Sequence, residues 1–154
     1  MKDIMLKITG KTVRQEPDGE KHEDLMEFVT AGQLYNRGST TFIKYPESEL
    51  SGMEGATTSL IITKDKVKMR RSGLPMAADT EMEFKKGERF YGMYETPYGP
   101  IGMELLTNDV SGLQDLGNGK QTLSIDYDIS LRGFMEARNK LELEITDPKA
   151  GKMQ

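Results

Sequence analysis

The stretch TLSIDYDISL, residues 122–131, places Leu123, Ile125, Tyr127, Ile129 and Leu131 at every second position, with Thr122, Ser124, Asp126, Asp128 and Ser130 between them. Successive side chains of a strand point to opposite faces, so this order gives one apolar and one polar face. On a helix the same residues would scatter around the axis. The stretch therefore predicts a half-buried strand. Leu141, Leu143 and Ile145 then alternate with Glu142, Glu144 and Thr146 after a connection expected around Glu136 to Asn139. Together the two runs predict an antiparallel hairpin.

The same period extends towards the N-terminus. Ile4, Leu6 and Ile8 open a first strand, and the turn tetrad PDGE at 17–20 returns it into Asp24 to Thr30. Thr40 to Tyr45 is short, β-branched and aromatic, and Thr57 to Thr63 leads through TKDK at 63–66 into Val67, Met69 and Arg71. Met82 and Phe84 alternate with Glu81, Glu83 and Lys85. KKGE at 85–88 turns into Arg89 to Thr96, and PYGP at 97–100 into Ile101 to Thr107. A loop through GNGK at 117–120 leads to the final hairpin. The segment nearest to helical spacing, GFMEARNK, is short and begins after a glycine. About nine or ten strands result, a number at which a sheet curls or closes. A barrel hides the apolar face and manages both edges; a two-sheet sandwich competes, and period-two patterning does not separate them.

Composition narrows the chemistry. The 154 residues suit one domain, read here as 1–147 followed by a polar tail at 148–154. With 21 basic and 25 acidic residues the net charge is -4, which supplies no basic field for nucleic acid or anionic lipid. The chain has no cysteine, which excludes disulfides, a thiolate nucleophile and cysteine-ligated metals. The opening MKDIMLKITGKTV lacks the apolar core of a signal peptide, and no later stretch approaches the ~20 apolar residues of a spanning helix. A soluble, cytoplasmic protein is expected. One histidine, His22, flanks the first turn, with no second histidine to share a metal, and no metal site or cofactor is expected. GSTT and GMEGATT lack the lysine and spacing of a phosphate-binding loop. Asp126 and Asp128 share a polar face and read as solvating charge, with weak cation binding the alternative.

The order of MEFVTAGQLY, FIKYPES, TTSLIITKDKVKMRRSG, YETPYG, MELLT and SIDYDISL resembles the YwiB-like family of small bacterial proteins, from about Glu27 to Ile145. The most specific pieces are the step from Arg71 to Gly73 after an alternating strand and the Thr-Pro-Tyr-Gly turn at 96–99. The resemblance implies an all-β fold, a single antiparallel meander closed into a calycin-like β-barrel of about 8–10 strands, akin in shape to lipocalins and fatty-acid-binding proteins. It implies no activity.

A candidate site follows from KVKMRRSGLP, residues 66–75. Val67, Met69 and Arg71 share one face of the strand, and Lys66, Lys68 and Arg70 the other. The lysines mark the wet side, so Arg71 points inward, where a guanidinium needs company. It could rest at the rim with its head in water, or pair with Glu27, Glu47, Glu95 or Glu104. It could also hold a ligand carboxylate or phosphate. In RFYGMYETPYG, Phe90, Gly92, Tyr94 and Thr96 share a face, and Arg89, Tyr91, Met93 and Glu95 the other; parity does not say which is inside. Tyr45 and Glu47 flank Pro46, which suggests an edge or bulge. Met82, Met93 and Met103 read as core filler or as the wall of an adaptable cavity. The candidate ligand contacts are Arg71, Tyr45, Glu47, Tyr94 and Thr96, and no catalytic residue is expected.

Three functions compete on these residues. The leading one is a barrel that binds a small amphipathic or anionic molecule without a chemical step. The second is an interaction module with a filled barrel, and an exposed edge could pair two copies of the chain. An enzyme using tyrosine or glutamate with arginine as electrophilic stabiliser comes last, because no nucleophile, base and orienting group stand together in the sequence.

Overall fold

Alternation produces strands throughout. The computed structural model describes residues 1–15, 18–48, 54–73, 79–96, 99–132 and 135–149. Among these lie ten strands: β1 (Lys2–Gln15), β2 (Lys21–Arg37), β3 (Thr40–Pro46), β4 (Thr57–Ile62), β5 (Lys66–Ser72), β6 (Thr80–Lys85), β7 (Arg89–Thr96), β8 (Gly99–Gly117), β9 (Lys120–Leu131) and β10 (Met135–Thr146). They form one antiparallel meander in the order β6-β5-β4-β3-β2-β1-β10-β9-β8-β7, nearly closed into a barrel. β1 links the two halves by pairing with both β2 and β10.

The sheet's ends, β6 and β7, are consecutive in the chain but share no ladder. Their turn is held instead by β8. Glu88 N donates to Lys85 O at 3.0 Å within the turn, Gly87 N donates to Thr107 O at 2.9 Å, and Thr107 N to Glu88 O at 3.2 Å. The KKGE and TKDK turns stand where the sequence puts them, the second closed by Thr63 N on Lys66 O at 2.9 Å. In GNGK, Asn118 and Gly119 both take positive φ, 55° and 76°. That is the primed geometry whose twist matches a two-residue hairpin. Pro17 and residues 97–98 of the other two turn tetrads, and 150–154 of the expected tail, lie outside the described residues.

Three strands depart from expectation. β2 runs on to Arg37, well past Thr30. Residues 136–139, expected as a connection, belong to β10, so GFMEARNK is extended from Met135 onward. Residues 108–116, expected as a loop, complete β8. Their alternation is broken because the β8–β9 register slips three times, between Thr107 and Asp109, Ser111 and Gln114, and Asp115 and Gly117. Each slip is a bulge that bends the strand and shifts which side chain faces inward. At one of them Ser124 N donates to Ser111 Oγ at 3.0 Å, so a side chain takes the place of a ladder carbonyl.

The interior is packed with alternate residues of every strand. Leu6, Val67, Phe84, Leu105 and Leu123 are completely buried, with Ile8, Ile43, Leu60, Ile125 and Leu143 close to it. β2 approaches β3 closely at Gly32. A Cβ there would lie 2.8 Å from Leu6 Cδ1 and 2.9 Å from Lys44 O, so only glycine fits. Beyond that point β2 pairs β3 from Gln33 to Arg37 only. The long strands β1, β2, β8, β9 and β10 overreach the short ones, β3 to β7.

Candidate functional site

Inward polar residues lie in two rows. In the first, the register aligns Tyr45 with Thr58, Thr58 with Arg71, and Arg71 with Thr80 across β3 to β6. Each continues the inward face of an apolar strand, because a neighbour two positions along it is Ile43, Leu60, Met69 or Met82. In the second, Thr107, Tyr127, Asn139, Thr12 and Asp24 align across β8, β9, β10, β1 and β2. Arg71, itself in the first row, also reaches the second, its charge acting on the hydroxyls of both Tyr45 and Tyr127.

The first row is partly satisfied from within. Thr58 Oγ1 donates to Glu47 Oε1 at 2.7 Å, both groups buried. Burial pushes the Tyr45 phenol well above its ordinary value, the nearby Glu47 charge adds to this, and Arg71 works against it. In the second row Asn139 Nδ2 donates to the Tyr127 hydroxyl at 3.1 Å. The Tyr127 ring packs on Phe84 at a centroid distance of 4.7 Å. Its hydroxyl is also pushed up by burial, against the Asn139 hydrogen bond and the Arg71 charge.

Arg71 is half-buried and forms no salt bridge among the described residues. Its four proposed carboxylate partners are placed otherwise. Glu27 faces Lys7 at 3.6 Å, Glu104 faces Arg89 at 2.6 Å, Glu47 accepts from Thr58, and Glu95 is half-buried on β7. Arg71 Nε is buried with no hydrogen-bond partner, and so is Asn139 Oδ1. Both residues line one cavity of about 350 Å³, together with Tyr94, Tyr127, Met26, Met82, Met135, Leu131 and Leu141. The arrangement joins a planar cation, two phenols and an amide to a partly apolar wall, with Lys11, Asp24 and Lys140 also lining it.

Two of the five sequence candidates, Arg71 and Tyr94, reach this cavity. Tyr94 does so because Phe90 and Gly92, on its face, turn inward, while Tyr91 and Met93 are exposed. Tyr45 stands in the polar row and Glu47 is bonded to its Thr58, but neither lines the cavity. Thr96 ends β7, and its side chain lies outside what is described. Sequence reasoning missed Tyr127, Asn139, Met26 and Met135. Tyr127 was already on the inward face of the most regular strand, but Asn139 fell in the expected connection. Of the three methionines weighed as a cavity wall, Met82 lines it, Met103 is core, and Met93 is on the outside.

A larger groove of about 750 Å³ runs over the outer face near Arg89, Glu104 and Arg138. Its arginines are already matched, Arg89 by Glu104 and Arg138 by its grip on Asp126 through two bonds of 3.0 and 2.9 Å. That grip holds the Asp126 carboxyl below the usual range and removes it as a cation ligand. Among the described residues no cluster of three or more acidic or histidine side chains could hold a metal. Among the described residues no helix is long and apolar enough to cross a membrane.

The fold and its interior define the chain as an all-β protein whose single sheet is nearly closed into a barrel, with a cavity lined by Arg71, Tyr94, Tyr127 and Asn139 beside apolar residues. It belongs to the family described as Domain of unknown function (DUF1934), whose model matches residues 7–143. The crystal structure of the ywiB protein from Bacillus subtilis has a similar fold, with a TM-score of 0.69 at 20% identity, over 94% of this chain and 92% of that one. No curated protein matches the chain.

Proposed function

We propose that this barrel binds a small amphipathic molecule with an anionic head, held by Arg71, and that it works in the cytoplasm as a binding protein without a chemical step. The observation that carries this reading is the buried Arg71 Nε, without a hydrogen-bond partner among the described residues, beside a cavity whose wall joins Met26, Met82, Met135, Leu131 and Leu141 to the charged Lys11, Asp24 and Lys140. A guanidinium donates in a planar fork that matches a carboxylate or phosphate, and a buried donor without an acceptor is unfavourable. An anionic group beside Arg71 removes that penalty, with Asn139 Oδ1 available to a hydroxyl or amide of the same molecule. The cavity volume falls in the range of small-molecule sites, which favours this reading over a barrel packed solid.

Native mass spectrometry of the purified protein tests for a retained molecule. Calorimetric titration with decanoate as the probe then tests the anchor. Charge-assisted hydrogen bonds contribute about 1.5–3 kcal/mol, so Arg71→Met is expected to weaken binding by roughly ten- to a hundredfold. Equal binding by the variant and the parent protein overturns the reading.

A further inference from the structure

On the reading that the cavity holds an amphipathic anion by its head at Arg71, we propose that Gly10 is the position that admits the ligand's apolar tail, with Met26 as the side chain that moves aside for it. Gly10 lies within β1 on the inward face, two places on from the buried Ile8. The register sets it directly opposite Met26 of β2 and Leu141 of β10, and sets Leu141 opposite Ile125 of β9. This apolar row runs between two others. On one side is the polar row of Thr12, Asn139 and Tyr127, and on the other the sealed core of Ile8, Phe28, Leu143 and Leu123. A tail that runs inward from a head at the polar row therefore reaches Gly10 before the core. Gly10, Met26 and Leu141 all line the cavity.

The fold itself does not call for glycine there. Gly10 has no positive φ, so its backbone suits any side chain. Apart from its chain neighbours, an added Cβ would meet only Met26 Cε among the described residues, at 3.2 Å. Gly32 is the opposite case, where the Cβ would strike the Lys44 carbonyl at 2.9 Å. The end of a methionine side chain is flexible and yields where a backbone carbonyl does not. Glycine inside a strand also weakens it, and where packing does not demand the residue, it marks a place at which another molecule comes close to the backbone. Gly10 thus leaves a notch in the cavity wall, and Met26 is the adaptable side chain over it.

Calorimetric titration with butyrate, octanoate and decanoate, on the parent protein and on Gly10→Val, tests the notch. Closing it to about two methylenes of tail should weaken decanoate by about tenfold and butyrate by less than about twofold. Adding Met26→Ala to Gly10→Val should return most of the decanoate affinity, because the side chain in the way is gone. Gly10→Ala should melt at or above the parent temperature while binding decanoate more weakly, opposite signs that damage to the fold does not produce. Decanoate bound equally by Gly10→Val and the parent, while Arg71→Met weakens it, overturns the role of Gly10 and leaves the head anchor standing. An equal loss for butyrate and decanoate overturns that role as well, as does a lowered melting temperature for Gly10→Ala. A parent protein that binds no decanoate removes both the notch and the anchor.

Discussion

Thr58 and Glu47 share a 2.7 Å hydrogen bond inside the barrel, where both residues are buried. Thr58→Val keeps the shape and removes the donor to Glu47 Oε1. Leaving a buried carboxylate short of a partner should lower stability by about 1–3 kcal/mol, read from urea unfolding at neutral pH.

Tyr45 makes the protein sensitive to alkali. Its phenol is raised above the unfolded value of 10.0 by burial and by the charge of Glu47. A group whose folded value is raised stabilises the fold fully below the unfolded value, and this is lost as pH climbs past it. Stability should therefore fall above about pH 10. Tyr45→Phe should fall less steeply over the same interval, read as the slope of Tm against pH. Equal slopes would contradict the assignment.

The outer ion pair of Asp126 and Arg138 acts at the other end of the scale. Arg138 hydrogen bonds lower the Asp126 carboxyl, so the pair stabilises above the ordinary aspartate value and this is lost as pH falls through the lowered one. Arg138→Met should melt below the wild type near neutral pH, and the two should converge under acid.

Gly32 makes a purely steric prediction. Gly32→Ala drives a methyl against Leu6 Cδ1 and the Lys44 carbonyl, and the carbonyl belongs to a backbone that moves only with β3. The expected loss is about 1–3 kcal/mol by chemical denaturation. An unchanged midpoint would mean that the close approach of β2 to Leu6 and β3 is not held there.

Removing the ring of Phe84 should open a void beneath the cavity floor, because it is fully buried and packs on Tyr127. Phe84→Ala is expected to cost about 3–5 kcal/mol in unfolding free energy.

The strand period was legible wherever register stayed regular. TLSIDYDISL reads as β9, and its inward residues are the buried ones. Asp109 to Leu116 did not read as strand, because bulges shift parity in ways that only the partner strand dictates. The inward aim of Arg71 was legible from Val67 and Met69. Its lack of a carboxylate was not, since that depends on where Glu27, Glu47 and Glu104 find partners on other strands. Asn139 stayed hidden because MEARNK carries too few apolar residues to announce a strand, and β1 and β9 impose it from either side.

The sheet's two free ends, β6 and β7, are joined by a three-residue turn in mid-chain, while β1 and β10 meet at its centre, where Lys2 Nζ lies 3.4 Å from Asp147 Oδ2. The chain is thus a rotated version of a simpler one. A circular permutant that tethers the region of Asp147 to that of Lys2 and opens at Lys86–Gly87 would run from β7 to β6 with every strand beside its successor. Sequence-distant closure of β1 on β10 would become a local hairpin, and refolding should be faster than in the natural order.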